Sequence, residues 1–225
     1  RTPELDAIDP DNRLLGRMNI RRLEAESVRD AILAASGRLH RSIGGPSVPV
    51  VEDGEGMVVF GKRLQRDGLF AGVEEVKEDA FRRSIYVEQR RSLPLAILET
   101  FDLPKMTPNC DARRSSTVAP QALLLLNDAF VLDEAGVMAD RLRAAAGSTA
   151  EQVKLAYETL FARPPTEAEQ TACESFLAEQ QAYFQTNGDP KWLERTAQDP
   201  AAAPQRALAC LCQTLICSNR FLYVD

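Results

Sequence analysis

The sequence predicts a mainly α-helical fold, a helical bundle with a small β element over about residues 57–90. Three observations carry that reading. From Asp128 onward apolar residues recur at helical spacing almost without interruption. Two capping-box signatures, Ser148/Glu151 and Thr166/Glu169, punctuate that stretch. Glycines and short β-branched runs concentrate between residues 44 and 80, where helical periodicity is lost.

Residues 13–39 read as one long helix. Ile20, Leu23, Ala31 and Ala35 lie near one stripe, widened by Val28 and Ile32, and Arg22 and Glu26 stand four apart on another side. Gly37, or the Gly44–Gly45–Pro46 turn, ends it. Met57 to Phe60 is a β-type run between turn signals. Arg83 to Gln89 alternates Ile85, Val87 and Gln89 against Tyr86 and Glu88, which predicts a second strand paired with the first. Pro94 opens a short helix, LAILETF, and Pro120 opens QALLLLN in the first-turn position that suits a residue without an N–H.

Beyond Asp128, Val131, Ala135, Met138 and Leu142 share a face. A helix holding Val153, Ala156, Tyr157, Leu160 and Phe161 and one holding Cys173, Phe176, Leu177 and Phe184 flank the Arg163–Pro164–Pro165 break, as an antiparallel hairpin would. Residues 186–204 read as a loop carrying the single tryptophan, Trp192. Pro204 starts the last helix, with Leu208, Leu211, Cys212 and Leu215 on one face, and FLYVD is apolar enough to dock. The expected organisation is a single domain over 1–225. Residues 1–119 supply a helix and an Arg-rich loop and β region, and 120–225 supply the bundle.

Composition removes several function classes. Of the 225 residues, 44% are apolar and 27% charged, as in ordinary globular proteins. The net charge is −6, and all of it falls in residues 116–225, because basic and acidic groups balance over 1–115. Neither part has the basic surplus of a nucleic-acid footprint. No apolar run approaches the roughly 20 residues that span a bilayer. Five cysteines without a CxxC, and one histidine, His40, give a zinc site little to use, so no metal is expected.

The chemistry-bearing residues crowd into Arg82 to Asp128. Arg82, Arg83, Arg90, Arg91, Arg113 and Arg114 come in pairs around Tyr86, Glu99 and Asp102. Guanidinium forks match carboxylate and sulfate oxygens, so Arg83, Tyr86, Arg91, Glu99, Arg114 and Gln121 form the candidate ligand site. The competing reading is a set of arginine bridges that pin irregular loops to their carbonyls and carboxylates, and it is preferred. Gln121 and Asn127, which flank Ala122–Leu126, suit either a ligand or the backbone.

No catalytic set emerges. Glu24 and Glu26, two apart on the expected helix, point away from each other and form no glycosidase pair by themselves. The turn Gly44–Gly45–Pro46–Ser47 lacks the lysine and spacing of a phosphate loop. Ser84, Ser92, Ser115 and Ser116 lack the GxSxG of a nucleophile elbow, and His40 has no placed nucleophile beside it.

Six segments carry a resemblance: 9–39 (DPDNRLLGRMNIRRLEAESVRDAILAASGRL), 44–49 (GGPSVP), 82–104 (RRSIYVEQRRSLPLAILETFDLP), 110–128 (CDARRSSTVAPQALLLLND), 160–169 (LFARPPTEAE) and 211–225 (LCQTLICSNRFLYVD). In that order they resemble the planctomycete-type PSD family, a C-terminal domain of unknown function that follows cytochrome c-like and companion domains. The resemblance implies an exported setting, links to polysaccharide degradation, and a family domain that extends upstream of DPDNRLL. It implies no reaction. No haem-attachment motif is present, so no cofactor is expected in this chain. The implied partners are the cytochrome c-like and companion domains, with a polysaccharide as the alternative ligand. An exported setting makes Cys110 and Cys212, both inside matching segments, the candidate disulfide. Cys210 and Cys217, seven apart on one helix, are too far apart to bond to each other.

Overall fold

The computed structural model describes residues 3–104, 113, 115–187 and 202–224. The fold is mainly α, with small two-stranded sheets. In chain order its elements are α1 (Pro3–Ile8), β1 (Arg21–Arg22), α2 (Ala25–Ser36), β2 (Val50–Glu52), β3 (Val58–Phe60), β4 (Lys62–Arg66) and β5 (Leu69–Glu74). Two 3-10 turns follow, Lys77–Phe81 and Ser84–Tyr86, and then α3 (Ala96–Thr100) and α4 (Ala119–Asn127). The bundle helices are α5 (Ala129–Ala145), α6 (Thr149–Phe161), α7 (Glu167–Asn187) and α8 (Ala203–Ile216), and the chain closes with α9 (Asn219–Leu222) and β6 (Tyr223–Val224).

Local signals explain the bundle. Ser148 Oγ accepts from the Glu151 N–H at 3.3 Å, while Glu151 Oε2 accepts from the Ser148 N–H at 3.2 Å. Thr166 and Glu169 repeat the exchange at α7, and Arg163 braces Glu169 with two bonds of 2.8 and 2.6 Å. The α6–α7 hairpin turns through Ala162, which takes a left-handed φ of 53°. Packing then follows the expected faces. Val131, Ala135, Met138 and Leu142 of α5 are buried, as are Leu208, Leu211, Cys212 and Leu215 of α8, and these two helices pack on each other. Ala135 and Ala139 of α5 and Ala207 of α8 are buried with them. Most of the buried apolar residues form one cluster that runs from α2 through Val50, Val87 and Phe101 into the bundle.

The front of the chain departs from the long-helix expectation. α2 spans only Ala25–Ser36, and 9–24 is largely irregular. Asp9 accepts from the Arg13 and Leu14 N–H groups, and Asn12, buried, donates to Arg17 O and Asn19 Oδ1 at 2.7 Å each. These side chains give the backbone partners that compete with a helix. Asn12 and Leu15 take left-handed φ values of 52° and 54°, which no α-helix tolerates. Arg21–Arg22 then pair antiparallel with Val224 and Tyr223, a partner some 200 residues away. Ile20, expected on the apolar stripe, is exposed, as are Leu14, Leu15 and Met18 before it. Gly37 does end α2, at φ 87°.

The β element begins earlier than expected and ends earlier. β2 and β3 pair with Val50 opposite Phe60, and β4 and β5 pair with Lys62 opposite Glu74, with a register shift at Leu64/Gln65. Arg83 to Gln89 holds a 3-10 turn, Ser84–Tyr86, rather than a strand, and touches β geometry only at the Val48–Val87 bridge. Ile85, expected on one face with Val87, is exposed while Ser84 and Val87 are buried. An i to i+3 turn places residues 84 and 87 on the same side, and the Val87 N–H donates to Ser84 O at 3.1 Å. The C-terminal residues do dock, through β6 and the buried Phe221 and Leu222. Most of the loop expected over 186–204, with Trp192, lies outside the described residues.

Candidate functional site

Three buried arginines organise the joint between α2 and the irregular region. Arg29, 1% exposed, sits on the inner face of α2 between Val28 and Ile32. Its Nη1 donates to Arg82 O at 3.0 Å and Ser84 Oγ at 3.1 Å, and its Nη2 donates to Ala80 O. Its guanidinium stands 4.9 Å from the Phe60 ring centre and 5.6 Å from that of Phe130. Burial pulls its pKa down to about 10, against the opposing pull of Asp30 and Glu134, so it remains a cation at neutral pH.

Arg82 clamps the glycine turn. It donates to Pro46 O at 2.8 Å and to Gly44 O, with its guanidinium 4.1 Å from the Tyr86 ring centre. Gly44 and Gly45, at φ 80° and 89°, let that turn close around the arginine. Arg22 of β1 pairs with Asp102 at 2.5 Å, donates to Leu23 O, and lies 5.3 Å from the Phe101 ring centre. Asp102 in turn accepts from the Ser116 N–H and hydroxyl.

The described members of the predicted site stand in different settings. Arg83 is half exposed, with Nε 4.0 Å from Asp30 Oδ2. Tyr86 lies under Arg82, and its hydroxyl accepts from the Gly44 N–H at 2.9 Å. Arg91 and Glu99 are exposed, on a turn and on α3 respectively. Gln121 is buried and committed to the backbone, donating to Thr100 O and Ser116 O. Asn127 donates to Leu123 O, back along its own helix. Arg114 and Cys110 lie outside the described residues. Cys212 is a fully buried thiol in α8, pushed up to about 12 by burial. Arg90 pairs with Glu88 at 3.0 Å, and Arg113 pairs with both Glu24 and Glu26. His40 is exposed, its backbone N–H bonded to Phe81 O. Among the described residues no group of three His, Cys, Asp or Glu is placed to hold a metal.

A family model described as a protein of unknown function (DUF1553) matches residues 1–177. The chain belongs to the DUF1553 family. No curated protein and no solved structure matches it. The DUF1553 match covers the three buried arginine centres and ends inside α7, at the level of Leu177.

Two members of this DUF1553 joint have no counterpart among the candidates read from sequence: Arg29 and Glu134. Each sits where an apolar residue belongs. Arg29 falls between Val28 and Ile32, and Glu134 lies beside Val131, Ala135 and Met138. A charged residue at a core register of an amphipathic helix was the available signal.

Glu134 is 1% exposed, with one carboxylate oxygen 3.0 Å from Arg38 Nη1 and Oε2 without a partner among the described residues. Burial pushes its pKa up, against the pull of the Ser36 side chain, Arg38 and Arg29. A carboxyl raised in the folded state adds stability below its unfolded pKa, and that stability is lost as pH rises through the folded value. Glu134→Gln holds the neutral form at every pH. Urea midpoints of the two proteins should therefore converge in acid and separate in the variant's favour as pH rises past the carboxylate range. Parallel profiles would remove burial as the dominant influence on Glu134.

Proposed function

We propose that this domain is a non-catalytic accessory module of an exported, cytochrome c-linked multidomain protein, and that it works by binding neighbouring domains rather than by turnover. One observation supports this most. In the block richest in polar side chains, the buried arginines are held by backbone carbonyls, by Asp102 and by Ser84, as struts between loops. The acidic balance of residues 116–225 adds to it, since an acidic surface steers a basic partner. No helix among the described residues is long and apolar enough to cross a membrane.

The test is calorimetry between this chain and the cytochrome c-like and companion domains of the same protein. A salt-sensitive complex with either is the expected result. Turnover of a substrate by the isolated chain, abolished by one polar substitution, would sink the reading. A carbohydrate-active role has a narrower support, the exposure of Arg83 and Arg91. It would move ahead if uronic or sulfated oligosaccharides raised Tm saturably and Arg83→Ala removed the rise.

A further inference from the structure

A cleft of about 650 Å³ opens between the β2–β3 hairpin, the end of β5 and the 3-10 turn that follows it. Its apolar lining comes from Val59, Phe60, Val73, Val76 and Phe81. Its charged lining is Arg38, Lys77, Asp53, Glu75 and Glu78. Arg38 is already matched, with its guanidinium 3.6 Å from the Phe81 ring centre and 3.0 Å from Glu134. One lysine therefore faces three carboxylates. Asp53 is fixed in place, because its Oδ1 accepts from the Glu55 and Met57 N–H groups at 2.9 Å each. Glu75 and Glu78 are exposed, and neither has an ion-pair partner among the described residues.

The cleft is built by a close approach. At Gly61 a Cβ would lie 2.3 Å from Val73 Cγ1 and 2.8 Å from Glu74 O, so only glycine lets β5 end against the β3–β4 corner. The same arrangement leaves β3 and β5 with one strand neighbour each. Main-chain donors and acceptors along their second edges are the groups that an added strand uses.

We propose that this cleft binds an extended peptide segment of a partner protein, one that carries lysine or arginine beside apolar side chains. The proposal rests on the interaction-module reading and gives it a surface. Apolar residues of the segment cover Val59, Val73 and Val76, its cation meets Glu75 and Glu78, and its backbone lies along an open strand edge. An anionic segment would face the three carboxylates without compensation.

The test is fluorescence anisotropy with labelled hexapeptides of alternating Val and Lys, Val and Glu, and Ser and Lys. The Val–Lys peptide should bind saturably, and the other two should bind at least about tenfold more weakly. Glu75→Gln with Glu78→Gln changes two exposed side chains and should leave Tm unchanged while weakening Val–Lys binding about tenfold. Equal binding of the Val–Glu or Ser–Lys peptide, an unchanged affinity in the double variant, or no saturation by about 1 mM peptide would overturn the proposal. The two readings fail separately. A complex with the neighbouring domains that ignores the double variant removes the cleft and keeps the module, whereas the absence of any such complex removes the module.

Discussion

Arg29→Ala should cost about 3–5 kcal/mol of unfolding free energy, as expected when one member of a buried charged network is deleted. The guanidinium, 1% exposed, is the donor for Ala80 O, Arg82 O and Ser84 Oγ, and it stacks on Phe60 and Phe130. Alanine removes the donor from the buried Arg82 O and the half-buried Ala80 O and opens a void between α2 and the 3-10 turns. Arg29→Met fills much of the void but restores no donor, so it should recover only the packing part. Urea denaturation with an unchanged m-value would give these numbers. A loss under about 1 kcal/mol for Arg29→Ala would mean that water replaces the guanidinium, and the strut would not be structural.

Phe101→Ala should be comparably severe, about 3–5 kcal/mol, because a wholly buried ring leaves a cavity that its surroundings only partly fill. Phe101 is 1% exposed at the C-terminal end of α3, with the Arg22 guanidinium 5.3 Å from its ring centre. Arg22 is also half of β1 and reaches Phe101 O and Asp102. Truncating the ring should therefore loosen the pairing of β1 with β6 as well as the core. Amide exchange at Leu23, whose N–H donates to Leu222 O at 2.7 Å, should accelerate out of proportion to global stability. Exchange that merely tracks the global change would leave Phe101 as a core residue with no hold on the β1–β6 pair.

The sequence carried the bundle because its signals are local. Ser148, Thr166, Pro120 and Pro204 act within one helical turn, and the stripes of α5 and α8 report a real core. It did not carry residues 9–24 or 83–89, where partners far along the chain decide the geometry. Arg21 and Arg22 meet Val224 and Tyr223, and Ser84 is held by Asp30 and Arg29. Neither contact leaves a period in the sequence. The arginine pairs stood out by composition, but which of them are buried did not. Arg82 and Arg83 are adjacent, yet one is 4% exposed and the other half exposed, because the two form the extended link between the 3-10 turns, where successive side chains point apart. The cleft beside Glu75 and Glu78 had no signature at all, since Gly61 reads as an ordinary turn residue until the strand it admits is in place.

The β1–β6 ladder also sets how the domain answers a pull. Arg21 lies opposite Val224, so the chain leading into β1 and the chain leaving β6 depart from the same end of the pair. Tension between them separates the ladder like a zipper, one residue pair at a time, instead of shearing its bonds together. Resistance then passes to the Leu23–Leu222 bond and to the Arg22–Asp102 bridge behind it. A load carried through the domain would peel this short seam first, while the α5–α8 core stays intact.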